Sequence, residues 1–437
     1  ASLAPFFVYK FYWFLFGIFM LLWALLLWTR GLPHSFGERL QLMKNRFQGR
    51  TAIGMMTFLI AFIIVGFRLY YEENVKHTFY NQKEKSALQT TMDKKYQHFA
   101  NTPQPRMVGL DINLNIFPYE QRFEANGTYI LVNKTQEIID TLLVEYAEDI
   151  ITTYEVDRSI NLVSKDPLAR FDVWTFAEGL APNDSVALSF TIQTKDNTIF
   201  RKNNIVEQNG TYLHSLTFPS IGRWREATMP TDSAGLRNMY RSKDADFVDF
   251  KATVSTAADQ IAITTGYLQK EWMEGDRRYF QYQSKEKVTN DFIVNSGKFE
   301  VVKDRWKAVD LAIYYHPDHD YNLDVMMDGM KAGLTFCSEN FAPYQHDKLT
   351  IVEFTRSLGG FAQSFANTMP FSETAFLRDV ADPAEEIMAD LFSGVAHEVA
   401  HQWWGHQVIP ANARGAIMMT EGMAEYVKAK VFRKISR

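Results

Sequence analysis

His397-Glu398-Val399-Ala400-His401 packs two imidazoles and a carboxylate into five residues. On a helix, His397 and His401 stand at i and i+4, so both rings leave the same face. Two neutral imidazoles at that separation can share one Zn²⁺. Glu398 projects toward the same place, where it can take a proton from a metal-bound water. Glu421, in Thr420-Glu421-Gly422, supplies a third ligand and leaves a fourth position open, as a catalytic zinc site requires. Glu425 lies one turn further on and is the alternative ligand. Glu421 is preferred because it opens a helix that the Thr420 hydroxyl can cap.

These side chains need rigid carriers. Val395, Ala396, Val399, Ala400 and Trp403 make the motif segment, Ala384–Trp404, an apolar helix, and polar groups on a buried helix need partners. Upstream, Ala308–Tyr315 reads as a strand. Leu323–Phe341 reads as a helix with Val325, Met326, Met330, Leu334 and Phe341 as core. Lys348–Thr355 and the Gly-flanked Gly360–Phe365 read as further strands. Gly359-Gly360 would let a peptide backbone approach closely. His214, His316, His319 and His346 are scattered and read as surface or hydrogen-bonded histidines. His406, five residues past the motif, is a weak candidate for supporting it.

The preceding region is β. Leu110, Ile112, Leu114 and Ile116 alternate, as a half-buried strand requires. Tyr129–Val132, Leu142–Val144 and Val186–Ile192 repeat the pattern, with turns at Asp166-Pro167, Pro182-Asn183-Asp184 and Asn209-Gly210. Residues 106–305 are read as one sheet domain, and the polar, Lys-rich 72–105 as a juxtamembrane linker.

The N-terminus reads as membrane. Phe11–Trp28 is eighteen residues without a charge, and Thr51–Phe67 is a second uncharged run. Residues 1–71 are therefore expected to form a transmembrane hairpin with spans at about 8–28 and 51–71. The loop between them carries Arg30, Arg39, Lys44, Arg46 and Arg50 against Glu38. The positive-inside rule places that loop in the cytoplasm and the chain after Tyr71 outside it. The expected location is the inner membrane, with the later domains on the periplasmic side. The single Cys337 excludes an internal disulfide. A net charge of −5 and a pI near 6.1 give no sign of nucleic-acid binding. No Gly-rich phosphate loop and no Ser-His-Asp arrangement stands out.

His397 to Gly405, with Thr420-Glu421-Gly422-Met423-Ala424-Glu425-Tyr426, resembles the M1 (gluzincin) zinc aminopeptidases. Nineteen residues separate His401 from Glu421, one more than is usual there. The extra residue is assigned to the loop Ile409–Arg414, where Pro410 and Asn412 signal a turn. The family's Gly-x-Met-Glu-Asn segment, whose Glu holds the substrate amine, aligns with Asn367-Thr368-Met369-Pro370-Phe371. Met369 matches, Pro370 stands where the Glu should be, and Glu373 is the candidate substitute.

The resemblance implies an α+β chain: two transmembrane helices, an extracytoplasmic β-sheet domain, then the first part of a thermolysin-like α/β zinc peptidase domain over 306–437. The family's oxyanion-stabilising Tyr would lie beyond Arg437, so a truncated C-terminus is expected. Two spans ahead of such a domain are also similar to proteins in which an ABC-transporter-type permease is fused to an M1 peptidase. That similarity implies further transmembrane segments before residue 1 and an ABC-transporter ATPase as partner. The expected function is membrane-anchored zinc peptidase, an aminopeptidase in type, with Glu398 as base and a peptide as substrate. The alternative is a peptide-capturing or regulatory zinc domain of a transporter assembly with little turnover.

Overall fold

The computed structural model describes residues 3–28, 35–75, 81–195, 205–222, 246–377, 385–410 and 416–435. They fall into two compact units that meet in sequence between Ala87 and Leu88.

The first unit is built on helices α1 (Leu3–Leu27), α2 (Phe36–Arg46) and α3 (Gly49–Tyr70). α1 and α3 pair side by side: Tyr12 stacks on Phe62 with centroids 4.4 Å apart, and Gly66 leaves room for the Tyr12 ring. Their outer faces expose Phe6, Phe7, Trp13, Leu21, Ile60, Ile63 and Phe67. Both helices are long and apolar enough to cross a membrane. Ser35 caps α2 through a reciprocal box with Glu38, which terminates the connecting loop cleanly. Arg30 lies outside the described residues.

The second unit starts within α4 (Gln82–Tyr96), in the segment read as linker. The alternating sequence that follows does form strands, and its apolar half faces inward. An eight-stranded sheet runs in the order Tyr267–Glu274, Arg277–Gln283, Phe247–Ala257, Arg106–Phe117, Arg122–Val132, Ser185–Thr194, Ile150–Val156, with Val288–Thr289 paired to one end of Phe247–Ala257. Every pairing in it is antiparallel except one: Arg106–Phe117 lies parallel to Phe247–Ala257, with Gly109 opposite Asp249. A four-stranded sheet of Ile160–Asp166, Phe171–Leu180, Ile139–Glu145 and Ser220–Ile221 closes the core. Leu110, Ile112, Leu114 and Ile116 meet Leu142, Val144, Phe176 and Leu180 there. A three-stranded sheet (Ile261–Thr264, Ile293–Gly297, Thr211–His214) continues toward the last part of the chain.

That last part is a sheet with helices on it. Glu300–Trp306 pairs antiparallel with Val309–Tyr315, which is followed by two parallel neighbours, Lys348–Phe354 and Thr368–Ser372. The crossover is α5 (Leu323–Asn340), which buries Met326, Met330 and Leu334 against the sheet and the motif helix. α6 (Glu373–Phe376) follows the last strand, then α7 (Glu385–Ala400) and α8 (Ala416–Ile435). α5 meets α7 through glycines. A Cβ on Gly333 would lie 2.8 Å from Val399 Cβ, and one on Gly329 would lie 2.7 Å from the Phe392 carbonyl oxygen. Only glycine permits backbones so close.

Three expectations about this region need correction. Gly360–Phe365 is not a strand; Ala362 and Phe365 make isolated bridges, and the strand is Thr368–Ser372. Pro370 hid it, although an edge strand can carry a proline because one row of its N–H groups has no partner strand. The motif helix ends at Ala400, not Trp404. Gln402 and Trp403 bond back to Val399 and Ala400 in a tighter final turn, while the His401 N–H still reaches the His397 carbonyl at 3.3 Å. α8 begins at Ala416, so Thr420 caps nothing; its hydroxyl donates to the Ile417 carbonyl inside the helix. Residues 411–414 of the loop expected to absorb the extra residue lie outside the described residues, as does Ala384.

Candidate metal centre

α7 and α8 lie against each other, and that contact brings together side chains separated by the intervening loop. His397 and His401 point their Nε2 atoms at one spot, 3.1 Å apart. Glu421 Oε2 lies 3.4 Å from the first and 3.5 Å from the second. A tetrahedral zinc with ligand bonds near 2.0–2.1 Å separates its ligand atoms by about 3.3 Å. The triangle thus has the dimensions of one face of a zinc tetrahedron, and the donor set of two imidazoles and one carboxylate suits that ion.

On His401 the other ring nitrogen is hydrogen-bonded, which sets its tautomer. His401 Nδ1 lies 3.1 Å from the Trp404 carbonyl oxygen, which can only accept, so Nδ1 carries the proton and Nε2 presents its lone pair toward His397 and Glu421. Glu425 Oε1 stands 3.1 Å from His397 Nδ1. Of the two carboxylates, that of Glu421 is the one that faces both Nε2 atoms. His397 and His401 beside Glu421 hold its carboxyl well below the usual carboxylate range. Burial pushes Glu398 up, against the opposing pull of His401 and His397.

His397, Glu398 and Glu425 open onto a cavity of about 440 Å³. Its wall is mixed: Gly360, Phe361, Ala362, Phe371, Ala375, Leu391 and Gly394 form the apolar part, and Thr374, Asp390 and Lys428 join the three site residues as the polar part. Asp390 and Lys428 pair at 3.4 Å.

The other sequence candidates divide. Gly360 lines the cavity. Gly359, at φ +124, makes the turn before it and is not on the wall. Glu373 is not on the wall either: its Oε1 accepts from the Arg356 N–H at 3.1 Å, with the guanidinium Nε at 3.3 Å. Pro370 is buried in its strand opposite Val352. His406 is buried between Thr289 and the Ser364 carbonyl and holds the loop rather than the ligands.

Sequence reasoning missed Gln402. Its amide donates to Ser364 Oγ at 2.6 Å and the Phe365 carbonyl at 2.8 Å, while its Oε1 accepts from the Asn367 N–H at 2.9 Å. Trp403 Nε1 donates to the Ala342 carbonyl at 2.8 Å. Gln402 locks the end of the motif helix to the segment that precedes the edge strand, and Trp403 ties it to the chain just past α5. A lone amide inside an otherwise apolar run was the available signal.

Residues 325–437 match the family model described as peptidase family M1 domain. A probable aminopeptidase 2 of Sulfurisphaera tokodaii is 27% identical over 161 residues, covering 36% of this chain and 20% of the relative. Aminopeptidase M1 of Arabidopsis thaliana is 24% identical over 182 residues, covering 41% of this chain and 20% of the relative. The chain thus spans about a fifth of the length of these curated relatives. Among solved structures, an M1 zinc metallopeptidase from Deinococcus radiodurans aligns at a TM-score of 0.53 with 13% identity, over 76% of this chain and 71% of its own. A two-domain M1 zinc metallopeptidase mutant bound to L-arginine aligns at 0.51 with 14% identity, over 76% and 72%. At such identities the likeness is one of fold.

Proposed function

We propose that this chain, which carries a peptidase family M1 domain over residues 325–437, is the peptidase part of a membrane-anchored zinc aminopeptidase acting outside the cytoplasmic membrane. The observation that carries the reading is the triangle of His397, His401 and Glu421, with Glu398 beside it on the same cavity. These three residues would hold the zinc. When bound, the ion supplies Lewis acidity and lowers the pKa of a bound water toward 7.

The chain's own groups do the rest. Glu398 takes one proton from the attacking water. The water oxygen forms a bond to the scissile carbonyl carbon. Glu398 then delivers the proton to the leaving nitrogen as the C–N bond breaks. An elevated Glu398 pKa suits both halves of that task, because a carboxylate far below neutrality would be a poor base. Phe361, Phe371, Ala375 and Leu391 exclude water and favour an apolar side chain next to the scissile bond. The substrate amine has no glutamate at position 370, and Arg356 already holds Glu373. A carboxylate on the cavity wall, Asp390 or Glu425, is therefore the group within reach of an α-amine.

The two apolar helices support membrane anchoring, and the cationic loop between them supports a cytoplasmic position for that loop. A permease fusion with an ABC-transporter ATPase as partner is the wider form of this proposal. Protease added to sealed, right-side-out vesicles should digest the region after Ala87; complete protection would reverse the orientation.

The central test is metal content and peptide hydrolysis of the full-length protein and its Glu398→Gln variant. Zinc in both with cleavage by the parent alone supports the peptidase. Zinc in both with cleavage by neither favours a peptide-capturing domain, a reading that Pro370 in place of the amine-binding residue makes concrete. Absence of metal in both refutes the ligand assignment.

A further inference from the structure

Three neighbouring strand ends converge outside the catalytic centre. Val309–Tyr315, Lys348–Phe354 and Thr368–Ser372 run parallel. His319 follows the first, Glu353 is the last residue but one of the second, and Glu373 follows the third. One ligand atom from each lies within 4.8 Å of the other two. Among the described residues, only this trio and the His397–His401–Glu421 triangle bring three such groups so close.

We propose that His319, Glu353 and Glu373 form a second divalent-cation site that braces the wall of the catalytic cavity. One imidazole and two carboxylates are a donor set for Zn²⁺ or Mn²⁺.

Glu353 is 0% exposed, and an ionised carboxylate at such a place needs a cation or full hydrogen bonding. Its Oε2 accepts from the His316 N–H at 2.7 Å, and its Oε1 meets His319 Nδ1. Burial pushes the Glu353 carboxyl up to about 6 despite both contacts. His316, whose ring also bonds to the Lys298 backbone, adds a second buried polar group beside the trio. It is 7% exposed, its Nδ1 has no hydrogen-bond partner, and its ring stands edge-on to His319 with centroids 5.5 Å apart. Arg356 occupies Oε1 of Glu373, and a carboxylate has a second oxygen to offer.

The position gives the ion a task. Thr374 and Ala375, directly after Glu373, line the catalytic cavity, as does Phe371, which pairs with Glu353 in the sheet. An ion joining three strand ends fixes the start of α6 and with it one side of the cavity.

The test is a metal count on full-length protein, stripped with chelator and retitrated with Zn²⁺, using Mn²⁺ as competitor. The parent should take two equivalents. Glu373→Gln, and separately Glu353→Gln, should take one and keep the catalytic ion. His397→Ala/His401→Ala should also take one, and added Zn²⁺ should still raise its melting midpoint. Glu373 sits at a helix start and its variant should fold, which circular dichroism checks if the buried Glu353→Gln fails. One equivalent in the parent overturns the proposal. So does a His397→Ala/His401→Ala protein that neither binds Zn²⁺ nor gains stability from it, or a second equivalent unchanged by Glu373→Gln. None of these outcomes depends on whether the first site cleaves peptides.

Discussion

Gly333→Ala sets two effects of opposite sign against each other. Alanine in a helix interior is better than glycine by about 0.8–1 kcal/mol, so propensity alone makes α5 more stable. The new Cβ, however, would stand 2.8 Å from Val399 Cβ, 3.0 Å from Val399 Cγ1 and 3.2 Å from Ala396 Cα. α7 must retreat by about 0.6 Å before the closest contact becomes ordinary, and overpacking of this kind costs about 1–3 kcal/mol. Overpacking therefore wins by up to about 2 kcal/mol. His397 rides on α7 and His401 directly follows it, tied back to the His397 carbonyl, so their 3.1 Å separation survives the shift. The distances to Glu421 on α8, 3.4 and 3.5 Å, are the ones that change. A full 1 Å misplacement costs on the order of 100-fold in rate, so about tenfold is expected here. Zinc affinity by chelator competition, melting midpoint and kcat/KM on one peptide read all three consequences. Val399→Ala should not rescue the variant, because the 2.8 Å contact is with Cβ itself. A Gly333→Ala protein that melts higher than the parent with unchanged zinc affinity would refute this account of helix packing.

Further expectations follow from other contacts. Glu425→Gln should weaken zinc binding by roughly 10–100-fold, measured by competition, since Glu425 stands at His397 Nδ1. Gln402→Ala should lower stability by about 3 kcal/mol in denaturant unfolding, because it strands the buried partners at Ser364, Phe365 and Asn367. Lys348 lies between the Tyr267 and Tyr282 rings, and burial pushes its ammonium down to about 7. From there to the ordinary lysine range the unfolded chain holds a proton that the folded chain lacks, so stability should rise with pH through that window. Lys348→Met should flatten the rise and stabilise the protein near pH 6 by roughly 1–3 kcal/mol, as thermal unfolding across pH would show.

The three side chains that the structure brings together, His397, His401 and Glu421, were legible in the sequence because their placement is largely local. Two histidines one turn apart must share a face, and Glu421 is the first carboxylate after them. The alternating strands were legible for the same reason, since period and burial are both properties of short segments. What escaped depends on partners distant in sequence. Thr368–Ser372 is a strand because Lys348–Phe354 offers it an edge, and nothing within those five residues, proline included, says so. Glu373 is drawn to Arg356 rather than to the cavity. The use of Gly329 and Gly333 is visible only once α7 lies across them. The start of α8 was misplaced because Thr420 resembles a cap, while the helix begins a turn earlier.

The single parallel pairing in the large sheet has a consequence for how the protein is made. Arg106–Phe117 gains its antiparallel neighbour, Arg122–Val132, almost as soon as both have been synthesised. Its other edge waits for Phe247–Ala257, with Gly109 finally opposite Asp249. Through the synthesis of more than a hundred residues, a nascent sheet therefore presents an unpaired row of backbone donors and acceptors beside the apolar Leu110, Ile112 and Leu114. Such an edge invites pairing with another chain. Folding of this protein should accordingly be most sensitive to crowding and chaperone supply before residue 257 emerges, and a chain interrupted in that interval should aggregate rather than rest as a half-built domain.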